Sequence, residues 1–402
     1  MTHHQSVQEW LQNNYPNYCG EVTVDLDRKK VEEQMAADHP DLKVDVPRFT
    51  YKRYDYGLSR LVANKFALSI GALDLGFQAR LTNSGMSALA VVNEALRGKC
   101  KHIVVGKGIY SETPNLFATN GATIHYVDYF LTDSFFHELR RIKRRYGIDA
   151  IIIEPVGNSP KMPACSIAKL LDFCWDQSLT LVVDNTLMSA ELYNPFISYR
   201  HEIKSLLSGS PVCQFVYIES LSKFYKAGDL DDVTAGIIVA SEKFIDRCDG
   251  FLKWGHYLPY HSLAKMPFEL FEAVSKKVLQ IHAITKKVSD YLHHVYFQKF
   301  EDHGRDIIGN IFCRYTVRKP HFVSPGGGPV IFFEIKKTQG LLGRLKKGFG
   351  PIKGSFGHPE TTYLPLGAFM EDMPDGLVRL AIGYNETPEQ IIEKLKVVLE
   401  VK

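Results

Sequence analysis

Past about residue 60 the chain alternates short, continuous apolar runs with longer stretches in which apolar residues recur at helical spacing. The runs are His102-Ile103-Val104-Val105, Thr123-Ile124-His125-Tyr126-Val127, Ala150-Ile151-Ile152-Ile153, Leu179-Thr180-Leu181-Val182-Val183, Phe215-Val216-Tyr217-Ile218 and Gly236-Ile237-Ile238-Val239. Runs of this kind, separated by helix-length segments, predict an α/β fold with a mostly parallel sheet covered on both faces. From Phe268 to about Phe297 the apolar spacing predicts one long connecting helix. Beyond it, strand-like Val330–Ile335 and Leu377–Ile382, with a closing helix opened by the capping box Thr387-Pro388-Glu389-Gln390, predict a smaller α+β domain. Residues 1–60 are polar and aromatic with weak periodicity and read as an arm rather than a core. The expected organisation is therefore an arm (1–60), a large domain (61–258) and a C-terminal small domain with the long helix (259–402). Gly326-Gly327-Gly328, flanked by prolines, predicts a turn and not a phosphate loop.

Composition narrows the class without choosing a function. At 402 residues the chain exceeds what one hydrophobic core usually organises, and 45% hydrophobic with 23% charged residues is ordinary for a soluble globular protein. The net charge of +3 is spread along the chain, and the basic run Arg140–Arg145 reads as a solvated helix face, so a nucleic-acid partner is not expected. Seven cysteines form no CxxC pair and leave one over if paired, which fits a reducing cytoplasm. No stretch is apolar enough to cross a membrane, and the first residues lack a basic segment followed by an apolar run. No metal site is expected, because His3-His4 sits in a mobile terminus and His293-His294 are adjacent on a helix and point different ways.

Three segments carry candidate chemistry. Gly85-Met86-Ser87-Ala88 follows strand-like Ala79–Thr82 and opens a helix, so its first N–H groups and the helix dipole favour an anion, and Gly85 admits a phosphate close to the backbone. Asp184 ends a very apolar strand at the edge where open α/β sheets bind ligands, and a buried carboxylate there calls for a cation such as a protonated pyridine nitrogen. Lys223 follows another apolar strand, with Ser220 and Ser222 just before it, and can hold an aldehyde as a Schiff base while the hydroxyls help bind phosphate. Each segment alone has a structural reading: a tight turn, a helix cap, a surface charge. Their order and strand placement together point to a pyridoxal phosphate enzyme.

On these residues the chain resembles the cystathionine gamma-synthase and gamma-lyase group of the Cys/Met metabolism family, pyridoxal-phosphate-dependent enzymes of fold-type I, from about residue 50 to residue 395. The resemblance implies that Tyr51 and Arg53, in Tyr51-Lys52-Arg53, reach the cofactor phosphate of a neighbouring subunit, so that a homodimer is needed for complete sites and a homotetramer is the expected assembly. It implies that Asn83-Ser84-Gly85-Met86-Ser87-Ala88 is the phosphate turn, that Tyr110 stacks on the ring, and that Asn158, in Glu154-Pro155-Val156-Gly157-Asn158, approaches the ring hydroxyl. Asp184 and Lys223 match the pyridinium partner and the Schiff-base lysine. Ser355-Phe356-Gly357 and Leu377-Val378-Arg379-Leu380 are similar to the substrate-binding segments, with Arg379 gripping the α-carboxylate.

Departures from the family pattern bear on substrate. Gly57-Leu58-Ser59 replaces Asn-Pro-Thr, and Lys253-Trp254 and Lys265-Met266-Pro267 also differ, which implies a remodelled substrate pocket. Roughly a dozen extra residues near Ser198 to Gln214 form a surface excursion or a lid. Asn115 stands where cystathionine-handling relatives place an arginine for a distal carboxylate, and Glu112, if it points inward, would favour a neutral or cationic side chain. The resemblance thus implies γ-replacement or γ-elimination on a homoserine-type or sulfur-containing amino acid other than cystathionine. A β-lyase is the alternative within the family, and a non-catalytic protein that binds the cofactor for structure or regulation is the alternative outside it.

Overall fold

The fold was analysed in a computed structural model, which describes residues 5–16, 18, 25–47, 56–128, 133–160, 162, 164–209, 214–225, 233–292, 308–312, 328–335, 339–369, 373 and 375–399. Every apolar run read as a strand is one. β1 (Phe77–Thr82), β2 (His102–Gly106), β3 (Thr123–Val127), β4 (Ala150–Ile153), β5 (Thr180–Asp184), β6 (Gln214–Ser220) and β7 (Gly236–Ser241) form a seven-stranded sheet in the order β1-β7-β6-β5-β4-β2-β3. Only β7 opposes the rest, pairing antiparallel with both β1 and β6. Strands β4 and β5 are buried at every position, as expected for a sheet with helices on both faces.

This topology brings the carboxyl ends of six strands to one edge, together with the amino end of β7. The chain therefore leaves Thr82, Gly106, Ile153, Asp184 and Ser220 on the same side of the sheet, and Gly236 enters from that side opposite Thr82 and Ser220. That edge holds the candidate site.

The long helix spans Leu270–Leu292 and buries Val274, Val278, Ile281, Thr285, Val288 and Leu292, one face at the three- and four-residue spacing read from the sequence. It leads to a second, antiparallel sheet of β8 (Ile308–Phe312), β9 (Val330–Ile335), β10 (Thr362–Pro365) and β11 (Leu377–Ala381), in the order β10-β11-β9-β8. Strands β8 and β10 have little apolar pattern of their own and were not foreseen. The capping box opens the closing helix Pro388–Leu399 as expected: the Thr387 hydroxyl accepts from the Gln390 N–H at 3.3 Å, and Gln390 Oε1 accepts from the Thr387 N–H at 2.8 Å.

Two regions differ from the simplest reading of their patterns. The N-terminal segment carries the helices Val7–Asn14 and Asp25–Asp38, and it packs on its own chain. Trp10 stacks on Phe268 with ring centroids 4.0 Å apart, and the Val7 N–H donates to the Met266 carbonyl at 2.8 Å. Short helices hide their periodicity because only three residues, Val7, Trp10 and Leu11, are buried in the first. The extra residues before β6 include a helix, Arg200–Gly209, in the crossover between parallel β5 and β6; Ile203 is buried, and the helix packs on the Ile167–Gln177 helix. A parallel pair requires such a crossover, so this part of the excursion is sheet cover and not a lid.

The second sheet's region is seated against the first at one very close contact. Gly357 has φ of +84°, and a Cβ built there would lie 1.9 Å from the Lys223 carbonyl oxygen. Gly357→Ala is expected to destabilise the protein by about 2 kcal/mol or more, from the left-handed backbone and the clash. Gly354→Ala, where a Cβ meets nothing within 4 Å, is expected to stay within about 0.5 kcal/mol of the parent. Denaturant unfolding of the two variants checks the contrast.

Candidate active site

The turn after β1 is built for close approach. Ser84 caps the helix Gly85–Leu96, its Oγ accepting from the Ser87 N–H at 3.0 Å, while Thr82 Oγ1 donates to the Ser84 carbonyl at 2.8 Å. The first helical N–H groups, those of Gly85 and Met86, have no intrahelical acceptor. A Cβ on Gly85 would lie 2.6 Å from Ser220 Cβ, so the turn fits against the end of β6 only because residue 85 is glycine. Asn83 is anchored by Nδ2 donating to the Gly255 carbonyl at 2.8 Å, which ties the turn to the segment around Trp254.

Asp184 and Glu154 are two buried carboxylates on the walls of one cavity of about 360 Å³. Asp184 Oδ1 accepts both the Thr186 hydroxyl, at 2.6 Å, and the Thr186 N–H, at 3.0 Å. Thr186 Oγ1 in turn accepts from the Ser220 N–H at 2.8 Å, locking the end of β5 to the end of β6. Glu154, directly after β4, accepts the Tyr110 N–H on Oε1 at 2.7 Å and the Asn158 N–H on Oε2 at 3.0 Å. Burial pushes both carboxyls above the ordinary range, Glu154 further because Asp184 is near; Thr186 and the charge of Lys223 oppose the shift at Asp184.

The cations face the same space. Lys223 Nζ donates to Ser355 Oγ at 2.9 Å and lies 5.3 Å from the centre of the Phe356 ring. Arg379, on β11, is only 7% exposed; it donates through Nη1 to Asn158 Oδ1 at 3.4 Å and through Nη2 to the Gly354 carbonyl. Among the described residues its Nε has no acceptor and no carboxylate lies within ion-pair distance. Desolvation alone lowers the guanidinium to about 10, which marks a buried cation short of an anion.

The structure thus brings Ser84, Gly85, Met86, Tyr110, Asn158, Asp184, Ser220, Ser222, Lys223 and Arg379 around one cavity, with Ser355 on the Lys223 amine. The Ser222 hydroxyl both donates to the Ala235 carbonyl at 3.1 Å and accepts its N–H at 3.0 Å, so it braces β7's approach more than it serves a ligand. Glu112 and Asn115 lie exposed on the helix Glu112–Ala118 and are not among the cavity's lining residues. Tyr51 and Arg53 lie outside the described residues. Sequence reading missed Leu89, Thr186, Leu187, Thr234 and Gly354 as lining residues; only Thr186 left a signal, as a hydroxyl two residues after a strand-end aspartate.

These features fit pyridoxal phosphate. A helix N-terminus without side-chain bulk suits the phosphate, buried Asp184 suits a pyridinium nitrogen, and Lys223 stands between that carboxylate and Ser355 to take the aldehyde.

Residues 32–246 match the sequence model described as Cys/Met metabolism PLP-dependent enzyme, PLP being pyridoxal phosphate. The chain is 24% identical over 350 residues to methionine gamma-lyase of Arabidopsis thaliana, covering 80% of this chain and 73% of that one. It is 25% identical over 381 residues to L-methionine gamma-lyase of Treponema denticola, covering 88% and 85%. A crystal structure of cystathionine gamma synthase from Xanthomonas oryzae pv. oryzae superposes with a TM-score of 0.69 at 17% identity, covering 88% of each chain; that likeness establishes the shared fold-type I architecture. The matched residues include the strand ends and the segments just after them that place Gly85, Glu154, Asp184 and Lys223 around the cavity, and the chain belongs to the Cys/Met metabolism family of pyridoxal-phosphate-dependent enzymes.

Proposed function

We propose that this enzyme catalyses γ-elimination, and γ-replacement when a thiol is supplied, on a homoserine-type or sulfur-containing α-amino acid with an uncharged distal group. The observation that carries the amino acid assignment is Arg379: a buried guanidinium with an unpartnered Nε, in the same cavity as Lys223 and Asp184. An α-carboxylate supplies the anion it lacks. The two methionine gamma-lyases that align along most of this chain support reaction at Cγ. Met86, Leu89, Leu187 and Phe356 give the cavity an apolar portion, beside the hydroxyl-bearing Thr234, and its only described cations are Lys223 and Arg379. A second carboxylate on the substrate would go unmatched there, which supports a neutral distal group. We propose further that a homodimer completes the site through Tyr51 and Arg53, within a homotetramer, and that the arm, large domain and small domain divide near residues 60 and 258.

When bound, pyridoxal phosphate supplies an aldehyde carbon for the amino group and a protonated ring that draws off the electron pair left at Cα. Asp184, buried and fixed by Thr186, keeps the ring nitrogen protonated. Arg379 fixes the α-carboxylate and so orients the Cα–H bond. Lys223 would carry protons from Cα and Cβ; its Nζ donates to Ser355 Oγ at 2.9 Å, which holds the amine in place. Tyr110, exposed in the cavity's lining, would stack on the ring, as the resemblance implies. One amino acid and one water give a 2-oxo acid, ammonia and the protonated leaving group; a thiol in place of water gives a new amino acid.

Offered methionine, cystathionine and O-acylated homoserines with and without a thiol, the holoenzyme is expected to release a 2-oxo acid from the uncharged substrates, as read by mass spectrometry. Activity confined to cystathionine would overturn the neutral-group assignment. Lys223→Ala is expected to lower kcat by about 10³-fold or more, and Arg379→Leu to lower kcat/KM by about 10²-fold, chiefly through KM.

The two buried carboxyls also set a pH dependence. Their folded-state values are raised, so the stability they contribute is complete below the unfolded value and is lost as pH rises through the folded one. Cofactor-free protein is expected to melt at lower temperature as pH climbs from about 5 to about 8, and Asp184→Asn to flatten that decline. Thermal melts across the range, with an equally steep slope in the variant as the contrary result, decide the point.

A further inference from the structure

Glu154 lies in the cavity wall, 5% exposed, between two segments that come from different strands. Tyr110 belongs to the connection after β2, and Asn158 to the connection after β4. The carboxylate takes one backbone N–H from each, on separate oxygens: Tyr110 to Oε1 at 2.7 Å and Asn158 to Oε2 at 3.0 Å. The Asn158 side chain continues the chain of contacts, its Oδ1 accepting from Arg379 Nη1 at 3.4 Å. One side chain therefore spaces the aromatic segment at the mouth from the segment that supports the arginine.

We propose that Glu154 is a positioning residue for the reaction, its two oxygens setting the distance between Tyr110 and Asn158 and, through Asn158, the orientation of Arg379. The part that concerns Arg379 rests on the proposed function above. The physical requirement is specific. Only a group that accepts on both oxygens can hold two N–H donors at once. Glutamine has the same shape but must turn an NH₂ toward one of the two N–H groups, leaving that donor unsatisfied and pushing it away. Burial and the neighbouring Asp184 raise the proton affinity of Glu154, so the ionised form that accepts on both oxygens is costly unless a cation lies near. A pyridinium beside Asp184 offsets that cost, so the strap is strongest when the cofactor is in place.

The test uses holoenzyme carrying Glu154→Gln or Glu154→Asp. Three quantities are read: visible circular dichroism of the bound cofactor, cofactor affinity by titration of the apoprotein, and KM and kcat with the amino acid the parent turns over. For Glu154→Gln we expect the dichroic band to change in amplitude and the cofactor dissociation constant to rise about 10-fold, the effect of one unsatisfied buried donor. We also expect KM to rise about 10-fold while kcat falls less. Glu154→Asp keeps the carboxylate but is one methylene short and reaches one donor well, so a smaller shift in the same direction is expected; it decides the matter should the glutamine variant not fold. Unchanged dichroism, cofactor affinity and KM in a folded variant, with only a lowered melting temperature, would reduce Glu154 to a loop brace and overturn the proposal. Dichroism and cofactor affinity involve no substrate. If no amino acid perturbs the parent's cofactor band, the substrate reading fails while these two readouts still decide whether Glu154 positions Tyr110 and Asn158.

Discussion

Charge of both signs is buried around a single cavity, and its neutralisation is left to what binds there. Asp184, Glu154 and Arg379 are withdrawn from bulk water, and Lys223, half-buried, lines the same cavity. Desolvation penalises each of them, and the protein repays the penalty only in part through Thr186, Asn158, Ser355 and the Gly354 carbonyl. A zwitterionic amino acid and a cofactor bearing a pyridinium complete the match. Much of the architecture can be understood as the means of holding those four groups apart while keeping them dry.

The parallel sheet is the first of those means. Because β1, β2, β4, β5 and β6 all end at one edge, five connections converge there with no need for a long loop. Their convergence leaves side chains on neighbouring strand ends within hydrogen-bond reach, and Thr186 exploits this by joining the end of β5 to the end of β6. The second means is close backbone packing. Gly85 against Ser220, Gly236 against the Ser84 carbonyl and Gly357 against the Lys223 carbonyl are contacts with no room for a Cβ. They press the turn after β1, β7 and the segment from the second sheet directly onto the strand end that leads to the lysine.

The second sheet contributes the cavity's buried guanidinium. Arg379 sits on β11, between β9 and β10, and reaches Asn158 across a sequence separation of more than two hundred residues. The cavity is therefore lined from both sheets, by Asp184 at the end of β5 and by Arg379 on β11. Glu154 and Asn158 are where the two halves meet.

Strand identity was legible because a strand covered on both faces must be apolar at nearly every position, and runs such as Ala150–Ile153 and Thr180–Val183 leave no other reading. Lys223, Asp184 and Gly85 were legible for a related reason, each being a polar or glycine residue at or just after the end of such a run, whereas Arg379 lies in the middle of β11 and was read only from the family resemblance. The small strands β8 and β10 were not legible, since short strands in an antiparallel sheet draw their stability from partners far away in the chain. Nor was the packing of Trp10 on Phe268, or the service of the Arg200–Gly209 helix as a crossover instead of a lid. The sequence by itself determined which side chains carry charge and which segments must be buried. Tertiary structure alone decided that Glu154 would clasp Tyr110 and Asn158, that Ser222 would spend its hydroxyl on Ala235, and that Glu112 and Asn115 would stay outside the cavity. Hydrogen bonds between strand ends depend on which ends are neighbours, and that order is a property of the sheet that no single run of residues contains.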